Sequence, residues 1–301
     1  MKHLYFQRTV QIAVIICFLT SCIDKAGKIK YSTGEWDSDS LGYHRVVLRV
    51  DKKADAVLAH IEWRRRDESP EKKGYVLVDG TSNKRVGNVM SINISREAGD
   101  VIFQPQSVPG DYYLYYLPGK PPKRSSYPKV KYPGPFNTAD SAWSLKYKNL
   151  ILQDLASTKS LPFAKVVAIE ARNEFTSFYP REVSATKEET DNLIKEYNGR
   201  DFLVFTEDRT LSIRMKNDLP QKWIGDKPFK SLNIKALKSE YITFQLGVYP
   251  ISNDLTNIRV RFSDLTGNDG GVVIKSGELT CFNNGGINWD GTILQKSVDV
   301  K

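Results

Sequence analysis

The sequence predicts a mainly β protein of two antiparallel, sandwich-like units, the second carrying one or two helices. Three observations lead there. Apolar and polar residues alternate over several short runs, the period of a half-buried strand. Turn residues interrupt those runs at short intervals, as sandwiches require. Helix signals are confined to Ala139–Leu155, anchored by Trp143, Leu145 and Leu150, and to a capping signature at Thr186.

The first 21 residues stand apart. Lys2, His3 and Arg8 precede an apolar run, Ile12–Leu19. The run is too short for a stable transmembrane helix and reads as a signal-peptide core. Leu19-Thr-Ser-Cys22 has the pattern of a bacterial lipobox. The expectation is a lipoprotein signal over residues 1–21 and diacylglycerol on Cys22, which anchors the chain to a bacterial membrane, the outer membrane by preference. An ordinary secretory signal with a chance cysteine is the alternative. Residues 22–34 read as a polar tether. Once Cys17 leaves with the signal and Cys22 carries lipid, Cys281 has no disulfide partner, so stability must come from the core. Cys281 reads as a small buried hydrophobe.

The formal net charge is +9 over 301 residues. The chain has no finger spacing, helix-turn-helix signal or RNA-binding aromatic motif, and export argues against nucleic acid as a partner. The charge reads as a solvated surface suited to an anionic membrane or a polyanionic glycan.

The first unit is expected over residues 35–117. His44, Val46, Leu48 and Val50 alternate with Arg45 and Arg49. Val57–Trp63, Tyr75–Asp79, Val89–Ile94 and Val101–Phe103 supply further strands, with a turn at Gly80–Asn83. Asp111–Leu117 is apolar or aromatic on both faces, which suits a central strand or one at an interface. Residues 118–135 form a basic, proline-rich linker pinned by its tyrosines. The second unit follows over 136–301. Lys165–Glu170 is a strand. Thr186-Lys-Glu-Glu189 is a capping box that opens a helix through Leu193, Ile194 and Tyr197 and ends at Gly199. Phe202–Phe205 and Leu211–Met215 are strands. In the closing meander Ile242, Phe244, Leu246 and Val248 should face inward, followed by strands at Ile258–Ser263 and Val272–Ile274.

Several strings resemble bacterial proteins related to glycoside hydrolase family 123, in the region before the catalytic barrel. They are Trp36–Gly42, Ile61-Glu-Trp-Arg-Arg-Arg-Asp67, Ile169–Phe175 with Phe178-Tyr-Pro180, and the stretch from Phe244 through Phe262 to Thr280–Gly291. The resemblance implies an accessory region of a glycan-processing protein acting on N-acetylhexosaminides. In that family the chemistry lies in a following (β/α)₈ barrel, where an Asp-Glu pair assists the substrate's acetamido group. That barrel is absent from these 301 residues, so the resemblance implies no catalytic residue here and leaves a barrel as a partner.

No nucleophile elbow, phosphate loop or dinucleotide fingerprint is present, and no cofactor is implied. Acidic pairs exist at Glu170/Glu174, Glu207/Asp208 and Asp37/Asp39, but pairing with nearby cations explains them as well as the two-carboxylate geometry of a glycosidase. Asp264, Asn268 and Asp269 sit in a glycine-rich loop that could bind Ca²⁺, but they lack the full EF-hand pattern and turn formation explains them, so no metal site is expected. His44 and His60 are the only histidines outside the signal, and His60 reads as structural. Asn283, Asn284, Asn288, Trp289 and Asp290 are the glycan-contact candidates, because an indole stacks on a sugar ring and carboxamides match hydroxyls. Two function classes remain: the accessory region, or an independent surface lipoprotein that binds glycan or protein.

Overall fold

A computed structural model describes residues 29–119, 130–153, 158, 160–215, 217–256, 258–268, 270–281, 286–287 and 293–294. The fold is mainly β. Its core is a sandwich of two sheets. The larger has five strands in the order β1 (Lys30–Thr33), β8 (Lys165–Ala171), β2 (His44–Val50), β7 (Gly110–Tyr116) and β4 (Tyr75–Asp79). The smaller has three: β3 (Val57–Ile61), β6 (Gly99–Phe103) and β5 (Val89–Ile94). Pairing is antiparallel except for β1 beside β8.

The alternation read in β2 is its burial pattern: His44, Val46, Leu48 and Val50 are buried and the residues between are half-buried. Leu48, Tyr112 and Leu114 of the larger sheet meet Ala59, Val101 and Phe103 of the smaller in one apolar cluster. Period-two patterning thus becomes a shared inner layer. β7 lies between β2 and β4, an interior strand, in keeping with its two-faced apolar sequence. Tyr112 points its hydroxyl inward, where it donates to Ser107 O and accepts from the amides of Gln106 and Ser107.

Two segments lie elsewhere than expected. Lys30–Thr33, read as tether, is the edge strand β1. β8, read as part of the second unit, is an interior strand of the first sheet and hydrogen-bonds β2. Before it, Leu58 N donates to Pro162 O and Ala164 N to Leu58 O, so the chain touches the edge of β3 and then crosses to the larger sheet. Local periodicity marks such a strand but says nothing of a partner more than a hundred residues away.

Helix α2 (Ser141–Gln153) covers the outer face of the smaller sheet. Asp140 caps it by accepting from the amides of Ala142 and Trp143. Trp143 and Tyr147, one turn apart, are buried against Leu58 and Ile102, while Leu145, expected as an anchor, is exposed. Tyr147 and Lys146 both bind the Asp55 carboxylate.

The second unit combines helices α3 (Lys187–Glu196) and α4 (Gln221–Asp226) with the hairpin-like pair β9 (Phe202–Asp208) and β10 (Phe244–Pro250). Its core joins Leu193, Leu203, Phe205, Leu219 and Trp223. The pairs β11 (Leu265–Thr266) with β12 (Val272–Ile274), and β13 (Gly286–Ile287) with β14 (Ile293–Leu294), follow. Leu211–Met215 and 258–263 are not strands. The face expected inward on β10 is the outer one: Phe244, Leu246 and Val248 are exposed and Gly247 is buried. Gly247 lies against the Trp223 indole, which stacks on Phe205 at 4.4 Å. A strand packs the face that can admit the large ring, and only the glycine face can.

Candidate functional site

The string Arg64-Arg65-Arg66-Asp67 follows β3 and leaves the sandwich toward the second unit. The Arg64 and Arg65 amides donate to Glu97 O and Arg96 O, which fixes the string against the β5–β6 turn. Arg65 then grips Asp67 with two 2.8 Å hydrogen bonds, and Lys73 reaches the same carboxylate at 2.8 Å. Burial raises the Asp67 pKa, but Arg65 and Lys73 outweigh it and hold the group below the usual carboxylate range. Arg66 pairs with the buried Glu182, and its guanidinium lies over the Phe178 ring at 5.2 Å. Burial dominates at Glu182 and raises its pKa despite Arg66 and Arg214. Phe178 stacks in turn on the buried His44 at 4.0 Å, and His44 Nε2 donates to Thr176 O.

Beside this junction lies a cleft of about 600 Å³. Its walls come from Arg64 and Arg65, from the β5–β6 turn (Arg96), from the start of α3 (Lys187, Asp191), from the segment before α4 (Asn217, Asp218) and from β10 (Tyr249). Most amides in the first turn of α3 already have partners. Thr186 and Glu189 form the predicted capping box, and Lys187 N donates to Glu97 Oε1 at 2.6 Å. Each cation of the lining has a carboxylate partner: Arg64 with Glu189, Arg65 with Asp67, Arg96 with Asp218, Lys187 with Asp191. Burial, then Asp218 and Asp191, raise the Tyr249 pKa. Two buried wall atoms, Ser184 Oγ and Arg96 Nε, have no hydrogen-bond partner among the described residues.

A second cluster sits on the outer face of the larger sheet. Arg45 lies over Trp36 at 4.6 Å and over Tyr113 at 4.1 Å, and its Nε donates to Glu170 at 2.7 Å. Ser32 Oγ donates to the other Glu170 oxygen. Arg172 donates to Trp36 O and pairs with Glu35. Here cation–π contacts and ion pairs pin the Trp36–Gly42 segment to the sheet.

The acidic pairs meet structural partners. Glu170 binds Arg45. Glu207 is buried and accepts from Trp223 Nε1 and Lys222 Nζ. Asp208 accepts from Thr210 N, and Asp37 caps the short helix α1 (Ser38–Leu41). His60 Nδ1 meets Asp100 at 2.7 Å on an exposed face. Asp264 accepts from Ser276 N, as a turn residue does. Cys281 is a half-buried free thiol. Among the described residues no group of three His, Cys, Asp or Glu side chains could hold a metal ion. Cys22, Asn283, Asn284, Asn288, Trp289 and Asp290 lie outside the described residues. The cleft itself was not legible in advance, since its walls come from five separated segments. The one available signal was the Arg-Arg-Arg-Asp string that borders it.

Residues 34–172 match the family described as glycoside hydrolase 123, N-terminal domain. The match ends one residue past β8 and spans every strand of the two sheets except β1. The Trp36 and Ile61 strings fall inside it, the Ile169–Phe175 string straddles its end, and Phe178–Pro180 and the Phe244–Gly291 stretch fall beyond. No curated protein and no solved structure matches the chain.

Proposed function

We propose that this chain, whose sandwich is a glycoside hydrolase 123 N-terminal domain, is the non-catalytic accessory region of a lipid-anchored protein that processes N-acetylhexosaminide glycans. The observation that carries the reading is how the family strings are used. Arg64, Arg66, Glu170 and Arg172 are all spent on ion pairs that bind the sandwich together or tie it to the next unit. Such a region presents and orients; catalysis belongs to a partner barrel. Lipid on Cys22 keeps the assembly at the envelope, and two acyl chains suffice for stable anchoring. Asn283, Asn284, Asn288, Trp289 and Asp290 remain its glycan-contact residues near the C-terminal end.

Two measurements test this reading. The purified chain, incubated with p-nitrophenyl N-acetylhexosaminides, should release no nitrophenol above the buffer rate; turnover abolished by Glu170→Gln or Glu207→Gln would overturn the accessory role. In cell fractionation, Cys22→Ala should move the protein from the membrane pellet to the soluble fraction. Persistence in the pellet after a high-salt wash would exclude lipid at Cys22 as the anchor.

A further inference from the structure

We infer that the cleft between the sandwich and α3 binds a neutral saccharide. This rests on the glycan reading above and gives it a location and a ligand charge. Size and place fit, because clefts of roughly 300–1,000 Å³ at the junction of two units are the usual sites for small ligands. Charge decides the ligand class. Arg96 and Lys187 each face a carboxylate, Asp218 and Asp191, so an anionic ligand finds no uncompensated cation; Glu97, the third lining carboxylate, already accepts from the Lys187 amide and leaves a cationic ligand a single carboxylate. Hydroxyl groups need neither. A carboxylate has about four acceptor positions, and one ion pair uses only part of them. Asp191, whose side chain is 44 % exposed, and Asp218 can therefore accept from sugar hydroxyls without releasing their partners. Lys187 and the exposed Asn217 supply donors, while Tyr249 supplies a ring face and a hydroxyl. Ser184 Oγ and Arg96 Nε, atoms of two lining residues, are buried with unmet hydrogen bonds.

The test titrates the full chain with lactose, N,N′-diacetylchitobiose and a sulfated chondroitin disaccharide, followed by saturation-transfer NMR and calorimetry. At least one neutral disaccharide should bind, and the sulfated one no more tightly. Asp191→Asn and Asn217→Ala, both surface changes, should each weaken binding about five-fold or more with an unchanged melting curve. Tyr113→Ser, on the outer face of the larger sheet, should leave affinity unaltered. Loss of binding with Trp289→Ser or Tyr113→Ser, but not with the cleft variants, overturns the cleft and leaves the glycan reading standing. Preference for the sulfated disaccharide overturns the neutral ligand. Failure of both neutral disaccharides overturns the cleft as a saccharide site, while the hydrolysis and anchoring measurements judge the accessory role separately.

Discussion

Arg64 holds Glu189 with two hydrogen bonds, 2.6 and 3.2 Å, and Glu189 is also the capping-box glutamate of α3, accepting from Thr186 N at 2.8 Å. One carboxylate thus closes a helix terminus and ties that helix to the sandwich. Burial raises its pKa, but Arg64 and the Thr186 amide prevail, so the folded state holds Glu189 below the usual range. Its contribution is present at neutral pH and is lost as pH falls through the lowered folded pKa. Arg64→Ala should destabilise the second unit by about 1–3 kcal/mol, since hydrogen bonds to a charge are strong but the Glu189 side chain is 30 % exposed. Hydrogen exchange of the first α3 amides checks this. They should lose protection while those of β2 and β7 keep theirs.

His44 sets an acid limit on stability. Burial lowers its pKa from 6.5 to about 4, Arg65 and Arg66 push the same way, and the Thr176 carbonyl and Asp67 oppose them. Between pH 6.5 and 4 the unfolded chain takes up a proton that the folded chain refuses. Stability therefore falls with pH across that window, by about 3 kcal/mol at its lower end. Urea midpoints measured from pH 7 to 4 should decline in the wild type, and His44→Gln should flatten much of that slope. An equal slope in both would exclude His44 as the titrating group.

Much of the sandwich was legible because its strands are amphipathic and its turns explicit. The alternation of β2, the span of β4 and the Thr186–Glu189 box needed only local sequence. Tertiary choices were not legible. Nothing near Arg66 marks Glu182 as its partner, and nothing near Ile169 marks β2. β10 shows the sharper failure. Its apolar residues at 244, 246 and 248 are the more hydrophobic set, yet the helices pack on the other face because Trp223 needs the space over Gly247.

Gly247 gives that argument a measurable form. An added Cβ would collide with the Trp223 ring, which is fixed by stacking on Phe205 and by donation to Glu207. Gly247→Ala should cost about 1–3 kcal/mol, although alanine ordinarily suits a strand better than glycine. Gly225, inside α4, has open space around its Cβ position. Gly225→Ala should instead stabilise by about 0.5–1 kcal/mol. Thermal melts of the two variants should move in opposite directions.

The displaced face of β10 has its own consequence. Phe244, Leu246 and Val248 are 46, 45 and 39 % exposed, and Phe202 of β9, paired opposite Pro250, is 41 % exposed on the same side. Together they form an apolar stripe on the two-stranded sheet. Stripes of this kind bind hydrophobic dyes and promote association. Because each side chain is only about half removed from water, replacing one forfeits little burial, on the order of 1 kcal/mol. Leu246→Lys should therefore reduce anilinonaphthalene sulfonate fluorescence and any concentration-dependent rise in light-scattering mass, with the melting temperature within a few degrees of the wild type. A Leu246→Lys protein that unfolds would mean the side chain packs more deeply than its exposure implies. Unchanged dye binding in a folded variant would place the sticky surface elsewhere, with the exposed Val272–Ile274 strand the next to test.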